Sequence, residues 1–227
     1  MTPIKFFVDF DGTVTTADVV DLMLERFAPE EWRSVEKDWA EGRIGSRECL
    51  SRQIALMRVS REDLKKLSLE IQIDPYFRAF LKMAALFSAP AVVVSDGFDV
   101  MIHEILRHRL GDGFLENLPV FCNRLEWRGE KPAAVFAGDG APCAHGCANC
   151  KPRVIDAHRR PGDRVIFVGD GLSDRFAAKA ADLTFAKGKL LKFCEENKIT
   201  HESYSTFGDV LEWLESNLAR ERAYGRF

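Results

Sequence analysis

The amino-acid sequence predicts an α/β fold, a doubly wound parallel sheet with a helical segment inserted after its first strand. Three buried-type apolar runs, each followed by glycine with Asp or Ser, predict parallel strands at residues 5–8, 91–94 and 164–168. A chain of 227 residues can bury one sizeable core and carry a smaller insertion. We therefore assign residues 1–15 and 88–227 to the core and residues 16–87 to a helical cap.

Asp9 and Asp11 end the first predicted strand at alternate positions. Because side chains alternate between the two faces of a strand, both acids point the same way while Phe10 points into the core. Gly12 then allows a tight turn. Two carboxylates at one strand end suit a hard cation, and they can also supply a nucleophile and a proton-transfer group. The pattern alone leaves open an ordinary strand that ends in a polar turn.

The inserted segment predicts a small bundle of helices followed by one that returns to the core. Apolar residues at three- and four-residue spacing and capping serines predict helices at 19–27, 31–41, 46–57, from 60 onward, and at 76–87. The Trp and Phe residues on these helices predict the cap's own core rather than a cage around a substrate.

After the second strand, helices and strands alternate. The patterns predict a helix at 98–110, a strand at 119–123, a hairpin at 125–136 turned at Gly129-Glu130, helices at 153–158 and 174–181, a strand at 183–186, and closing helices at 190–197 and 207–222. This alternation predicts right-handed crossovers, with ligands bound at the carboxyl ends of the strands. Lys151 is the cation placed to neutralise the acids that gather there.

The order of these groups resembles the four signature motifs of the haloacid-dehalogenase (HAD) superfamily of phosphotransferases. The motifs are Asp9 to Thr13, Ser95, Lys151, and Gly169 to Asp174. An insertion after the first strand resembles the C1 cap of subfamily IB. Further likeness to the MtnX-like group of methionine-salvage phosphatases lies at residues 27–32, 147–152 and 178–187. The resemblance implies a HAD-like, Rossmann-like core and Mg²⁺-dependent hydrolysis of a small phosphate ester, which the methionine-salvage enol phosphate would fit.

The resemblance also implies the chemistry of the acids. Asp9 would attack phosphorus and form an aspartyl-phosphate, and Asp11 would protonate the leaving oxygen and later deprotonate water. Asp9, Asp11 through its backbone carbonyl, and Asp170 would hold Mg²⁺. Asp174 would orient a water bound to the metal.

The remaining motif residues are expected to bind the phosphoryl group. Thr13 and Ser95 would donate hydrogen bonds to its oxygens, with help from backbone N–H groups near Gly97. Lys151 would neutralise both the nucleophile and the transferring group. Asp96 stands where the MtnX-like group often has glycine, and we expect it to cap a helix outside the site.

Two alternatives remain open at this point. In phosphoserine phosphatase, a cap Glu and a cap Arg hold the substrate's amino and carboxylate groups, and here those positions are Asp18 and Gln53. Gln cannot replace a bidentate Arg, but the neighbouring Arg52 could if the alignment is shifted by one. A phospho-acceptor switch of the receiver type also gathers Asp, a hydroxyl and Lys around Mg²⁺, but an inserted cap that encloses a small substrate argues against it.

The composition of the chain limits the classes of partner that it can bind. A net charge of −3 and a pI near 6.0 predict no nucleic-acid partner, and there is no apolar run long enough to span a membrane. The chain starts without a leader-like pattern, which predicts a cytoplasmic enzyme. A homodimer is left open.

A cysteine-rich segment precedes Lys151. Cys143, His145, Cys147 and Cys150 carry the right ligand types for zinc or an iron–sulfur cluster. Structural zinc usually takes ligand pairs from two separated segments, whereas these four candidates lie within one segment of eight residues. We therefore expect reduced thiols that pack a loop beside the active site, with a metal as the alternative.

Overall fold

A seven-stranded sheet forms the centre of the computed structural model, which describes residues 2–129, 131–138 and 143–223. The strands are β1 (Ile4–Val8), β2 (Ala91–Phe98), β3 (Val120–Arg128), β4 (Lys131–Val135), β5 (Arg164–Gly169), β6 (Leu183–Ala186) and β7 (His201–Ser203). Their order across the sheet is β4-β3-β2-β1-β5-β6-β7. Neighbouring strands are parallel except for the antiparallel pair β3–β4. The predicted α/β core with a parallel sheet is confirmed.

The helices fall into two groups along the chain. Between β1 and β2 lie α1 (Val19–Phe27), α2 (Trp32–Ala40), α3 (Ser46–Leu56), α4 (Arg61–Glu70) and α5 (Phe77–Leu86). After β2 come α6 (Asp99–Leu110), α7 (Asp112–Leu115), α8 (Lys151–His158), α9 (Arg175–Ala180), α10 (Gly188–Asn197) and α11 (Phe207–Ala223). In the part of the chain that the structure describes, no helix is both long and apolar enough to cross a membrane.

The central strands are buried on both faces of the sheet. Phe6 and Val8 of β1 point into a core that they share with α1, α5, α6 and α11. Phe7 points the opposite way, into a core with Ile155 of α8 and Leu190 of α10. Because both faces of these strands are covered, their sequences are continuous apolar runs rather than alternating ones.

The inserted helices leave the sheet and return to it side by side. Thr15 and Ile73 form an antiparallel bridge, and the Asp74 N–H donates to the Val14 carbonyl at 2.8 Å. The outgoing and returning segments are therefore paired where the insertion begins and ends. The division into a core and a cap at residues 16–87 stays a prediction.

Some strand expectations differ from the structure. The predicted break between residues 123 and 125 is absent because β3 runs on and changes partner, pairing first with β2 and then with β4. Glu130, which the predicted hairpin turn included, lies outside the described residues. Strand β7 was not predicted, since three residues of which His201 and Glu202 are polar carry no strand pattern.

Candidate active site

The chain turns sharply after β1, and the turn brings two acids to the carboxyl edge of the sheet. The Asp9 N–H donates to the Val168 carbonyl of β5 at 2.9 Å, which continues the sheet by one residue. Phe10 is fully buried in the core, while Asp9 and Asp11 both line a cavity. The alternation predicted for these residues is thus what the structure contains.

Gly12 holds this turn against the end of β5. Its φ of +72° lies in the left-handed region, which residues with a Cβ disfavour. A Cβ at this position would lie 2.6 Å from Oδ2 of Asp170. The turn and the Asp170 carboxylate therefore approach as closely as they do only because position 12 has no side chain.

Lys151 forms a buried bridge between two acids. Its Nζ donates to Oδ1 of Asp9 at 2.5 Å and to Oδ1 of Asp174 at 2.6 Å, and only 2% of the lysine is exposed. Lys151 is the first residue of α8, whereas the sequence predicted that the helix begins at Arg153. The helix can begin before Pro152 because proline is tolerated in the first turn of a helix.

Asp174 is fixed by the backbone as well as by the lysine. Its Oδ2 accepts the N–H groups of Asp170 and Gly171 at 3.1 and 3.2 Å. It ends a 3-10 turn at Leu172–Asp174, and α9 begins at Arg175, one residue later than the predicted helix. Both oxygens of this carboxylate are therefore occupied within the protein.

The two motif hydroxyls contact acids rather than the cavity. Thr13 and Ser95 are fully buried. Thr13 Oγ1 donates to Oδ1 of Asp170 at 2.8 Å, and Ser95 Oγ donates to Oδ2 of Asp11 at 3.0 Å. The Gly97 N–H donates in turn to Ser95 Oγ at 2.8 Å. In this arrangement each hydroxyl orients a carboxylate, and the expected contact with phosphoryl oxygens stays a prediction.

The cavity has a volume of about 380 Å³ and is bounded by the sheet edge on one side and by inserted helices on the other. Residues of the insertion that line it include Asp18, Asp21, Glu36, Trp39, Leu50 and Gln53. Lys189, at the start of α10, lines it from the core. The sequence did not single out Asp21, Glu36 or Lys189. Lys189 could have been found, since it follows β6 at the edge where ligands bind.

Asp96 was predicted to cap a helix outside the site, and this prediction is wrong. Helix α6 starts at Asp99 after Phe98, with no side-chain cap. Asp96 lines the cavity, and its Oδ1 accepts the N–H of Asn149 at 3.1 Å. The Asp96 carboxylate thus accepts a backbone N–H from the loop before Lys151, and not from the first turn of a helix as predicted.

Burial and crowding disfavour the charged forms of the acids. Burial, followed by the charge of Asp174, raises the pKa of Asp9 well above its usual value. Burial raises the pKa of Asp11 to about 8 and that of Asp170 to about 6. Burial lowers the pKa of Lys151, but Asp174 and Asp9 outweigh it, so the lysine pKa lies well above its usual value.

This crowding fits a site for a hard divalent cation. Carboxylate oxygens of Asp9, Asp170 and Asp174 lie within 4.8 Å of one another. Both oxygens of Asp174 are engaged, by Lys151 and by backbone N–H groups, whereas the contacts of Asp9 with Lys151 and of Asp170 with Thr13 engage only Oδ1. Asp9 and Asp170 are therefore the acids available to a metal. Oxygen donors of this kind are those that Mg²⁺ prefers, and a cation between them would offset the repulsion that raises their pKa values.

Comparison with known protein families identifies this arrangement. The profile of the haloacid dehalogenase-like hydrolases matches residues 6–179, which include Asp9, Ser95, Lys151 and Asp170. The chain belongs to the haloacid dehalogenase-like hydrolases. The resemblance drawn from the sequence motifs is confirmed.

Curated relatives of this HAD protein are phosphatases. The 2-hydroxy-3-keto-5-methylthiopentenyl-1-phosphate phosphatase of Geobacillus kaustophilus (strain HTA426) is 31% identical, over 92% of this chain and 94% of the relative. The enzyme of the same name from Bacillus pumilus (strain SAFR-032) is 32% identical, over 89% of this chain and 87% of the relative. With the family match, these relatives make the chain a phosphatase.

A solved structure shares the fold. The phospho-aspartyl intermediate analogue of a phosphoserine phosphatase superposes with a TM-score of 0.70 at 20% identity, over 94% of this chain and 99% of that one. The α/β fold of this chain is therefore shared with a phosphoserine phosphatase.

Substituting Gly12 with alanine is expected to lower kcat/KM by about 10²-fold, because the new Cβ would displace the Asp170 carboxylate by roughly 1 Å. Phosphate release from a generic aryl phosphate measures the loss. Gly42→Ala is the matched control, since Gly42 also has a positive φ, of +75°, but has nothing within 4 Å of the added Cβ. Both variants should lose a similar roughly 1–2 kcal/mol of unfolding free energy from backbone strain. Equal activity in the two variants would contradict the role given to the contact with Asp170.

Proposed function

We propose that the protein hydrolyses 2-hydroxy-3-keto-5-methylthiopentenyl-1-phosphate in a Mg²⁺-dependent reaction through an aspartyl-phosphate at Asp9. The observation that carries the proposal is the Asp9 carboxylate, which lines the cavity with its Oδ1 held 2.5 Å from Lys151 Nζ. The substrate is taken from the relatives of that name, which match this chain over about nine tenths of its length.

The reaction would proceed in two displacements at phosphorus. An oxygen of Asp9 attacks phosphorus, the bond from phosphorus to the substrate oxygen breaks, and that oxygen receives a proton from Asp11. Water then attacks the aspartyl-phosphate and gives a proton to Asp11, which releases inorganic phosphate and restores Asp9. The similar phosphoserine phosphatase structure carries an analogue of such a phospho-aspartyl intermediate.

Asp11 has the environment that an acid in the first step needs. Burial raises its pKa to about 8, so it retains a proton at neutral pH. Its Oδ2 accepts from Ser95 Oγ at 3.0 Å and its Oδ1 accepts from the Val19 N–H at 3.1 Å. These contacts hold the carboxyl group in one orientation beside Asp9.

The proposal assigns Mg²⁺ to Asp9, Asp170 and the backbone carbonyl of Asp11. When bound, the ion offsets the charge of the phosphate and of the nucleophile. Thr13 orients Asp170 through its hydroxyl, and Lys151 orients Asp9, so the chain holds the acids in place with or without substrate.

The inserted helices would act as the cap that recognises the leaving group. Trp39 and Leu50 give the cavity an apolar, aromatic part that suits a methylthio group, since sulfur packs well against aromatic rings. Gln53 is almost fully buried and donates to Glu36 Oε2 at 3.0 Å, which presents polar atoms to hydroxyl and keto oxygens.

Phosphoserine is the less suitable substrate. The alternative drawn from the sequence needed Arg52 in the site, but this side chain is 51% exposed and pairs with Glu48 at 2.5 Å. The cap side of the cavity carries Asp18, Asp21 and Glu36 instead, and burial raises the pKa of Asp21 to about 7. None of the described residues that line the cavity is an arginine that could pair with the carboxylate of phosphoserine, and the acids that are ionised repel that group.

Asp9→Asn is expected to lower kcat by about 10³-fold or more, because the amide removes the nucleophile at nearly constant volume. Phosphate release measures the loss, and circular dichroism checks the fold. Asp163→Asn is the control, since Asp163 accepts the Arg160 N–H on an exposed turn that asparagine can also make. Activity of Asp9→Asn within tenfold of wild type would remove Asp9 from the role of nucleophile.

Removal of divalent cations should abolish phosphate release, and Mg²⁺ should restore it.

Asp170→Asn should raise the Mg²⁺ concentration for half-maximal activity by about tenfold or more, since it weakens one of the proposed ligands. A Mg²⁺ titration of wild type and variant gives both values. Full activity without any divalent cation would overturn the assignment of the metal.

The enol phosphate should be hydrolysed with a kcat/KM about 30-fold or more above that of phosphoserine, since a buried carboxylate without its arginine partner loses roughly 2–5 kcal/mol. Arg52→Ala should leave both values unchanged because Arg52 does not line the cavity. The contrary result is phosphoserine as the best substrate, with its hydrolysis lost in Lys189→Ala. That outcome would make Lys189 the carboxylate partner and the protein a phosphoserine phosphatase.

A further inference from the structure

The segment before Lys151 brings three cysteine sulfurs together. The Sγ atoms of Cys143, Cys147 and Cys150 all lie within 4.8 Å of one another, and these cysteines are not in disulfides. The backbone N–H groups of Cys147 and His145 and the thiols of Cys147 and Cys150 favour the thiolate form of Cys143. Burial opposes this effect, yet the pKa of Cys143 lies below its usual value. The sulfurs thus converge on one another.

This spacing suits a single soft metal ion. Four-coordinate zinc has Zn–S distances of about 2.3 Å, which places its sulfur ligands about 3.8 Å apart. Thiolates prefer such ions, whereas Mg²⁺ prefers the oxygen donors of Asp9 and Asp170. The cysteine cluster and the acids at the sheet edge therefore differ in ligand type and would select different ions.

The cysteine segment joins the start of a cap helix to the catalytic lysine. The Gly146 carbonyl accepts the N–H of Arg47 in the first turn of α3 at 3.0 Å. At the other end, Cys150 is the N-cap residue of α8 and directly precedes Lys151. A constraint on this segment therefore acts on the position of Lys151.

We propose that Cys143, Cys147 and Cys150 bind one Zn²⁺ ion, which fixes the segment between α3 and Lys151. Binding releases the remaining thiol protons to solvent and leaves the fourth position of the ion to water. His145 does not join this group of ligand atoms, and its ring lies on Phe176, with 3.8 Å between the ring centroids. With three protein ligands in place of the four usual for structural zinc, the ion constrains this segment and is separate from the Mg²⁺ proposed for catalysis.

The first test measures metal content by mass spectrometry. Protein purified under reducing conditions is loaded anaerobically with equimolar Zn²⁺ and passed over a desalting column. Wild type should retain about one zinc ion per chain, and Cys143→Ser and Cys147→Ser should retain at least about tenfold less. Cys122→Ser is the matched control, because Cys122 lies on β3 outside the cluster, and it should retain as much zinc as wild type.

A second measurement needs no variant and so does not depend on how the substitutions fold. Co²⁺ added to the wild-type protein should give the intense sulfur-to-cobalt absorption of thiolate ligation, and Zn²⁺ should displace it. Absence of this absorption, or zinc content that is equal in wild type and the cluster variants, would overturn the proposal. The cysteines would then be the packing thiols expected from the sequence.

Discussion

The lysine held between two acids is the interaction on which the rest of this site depends. Lys151 Nζ lies within hydrogen-bonding distance of Asp9 and Asp174, and all three side chains are almost fully buried. Removing one partner of a buried ion pair leaves an uncompensated charge, at a cost of roughly 3–5 kcal/mol. Since the turn after β1, the start of α8 and the turn after β5 each supply one member, the same contacts that hold Asp9 also join three parts of the fold.

Around this lysine, hydrogen bonds from the chain itself hold the carboxylates in place without any ligand. Backbone N–H groups donate hydrogen bonds to the carboxylate of Asp174. A threonine hydroxyl donates to Asp170, and a serine hydroxyl donates to Asp11. A carboxylate that is held in this way loses little freedom when the reaction begins. Thr13 and Ser95 are fully buried because they contact the carboxylates of Asp170 and Asp11 and do not line the cavity.

The sequence predicted the sheet edge well and the cap side poorly, for a physical reason. Asp9, Asp11 and Asp170 follow buried strands, so strand periodicity and parallel pairing were enough to bring them together. Glu36 and Gln53 meet only through the packing of one inserted helix on another, which local patterns do not encode. The role of Asp96 was missed because its partner, Asn149, lies in an irregular loop.

The contact between Gly45 and Gly146 carries a consequence for how this active site can change. A Cβ on Gly45 would lie 2.7 Å from the Gly146 carbonyl oxygen, so the inserted helices and the segment before Lys151 meet here backbone to backbone. Any larger residue at position 45 would act as a wedge between them. A single substitution at position 45 would thus shift α3, which supplies Leu50 and Gln53 to the cavity wall, relative to the segment that leads to Lys151, and so alter the shape of the cavity with every acid at the sheet edge unchanged.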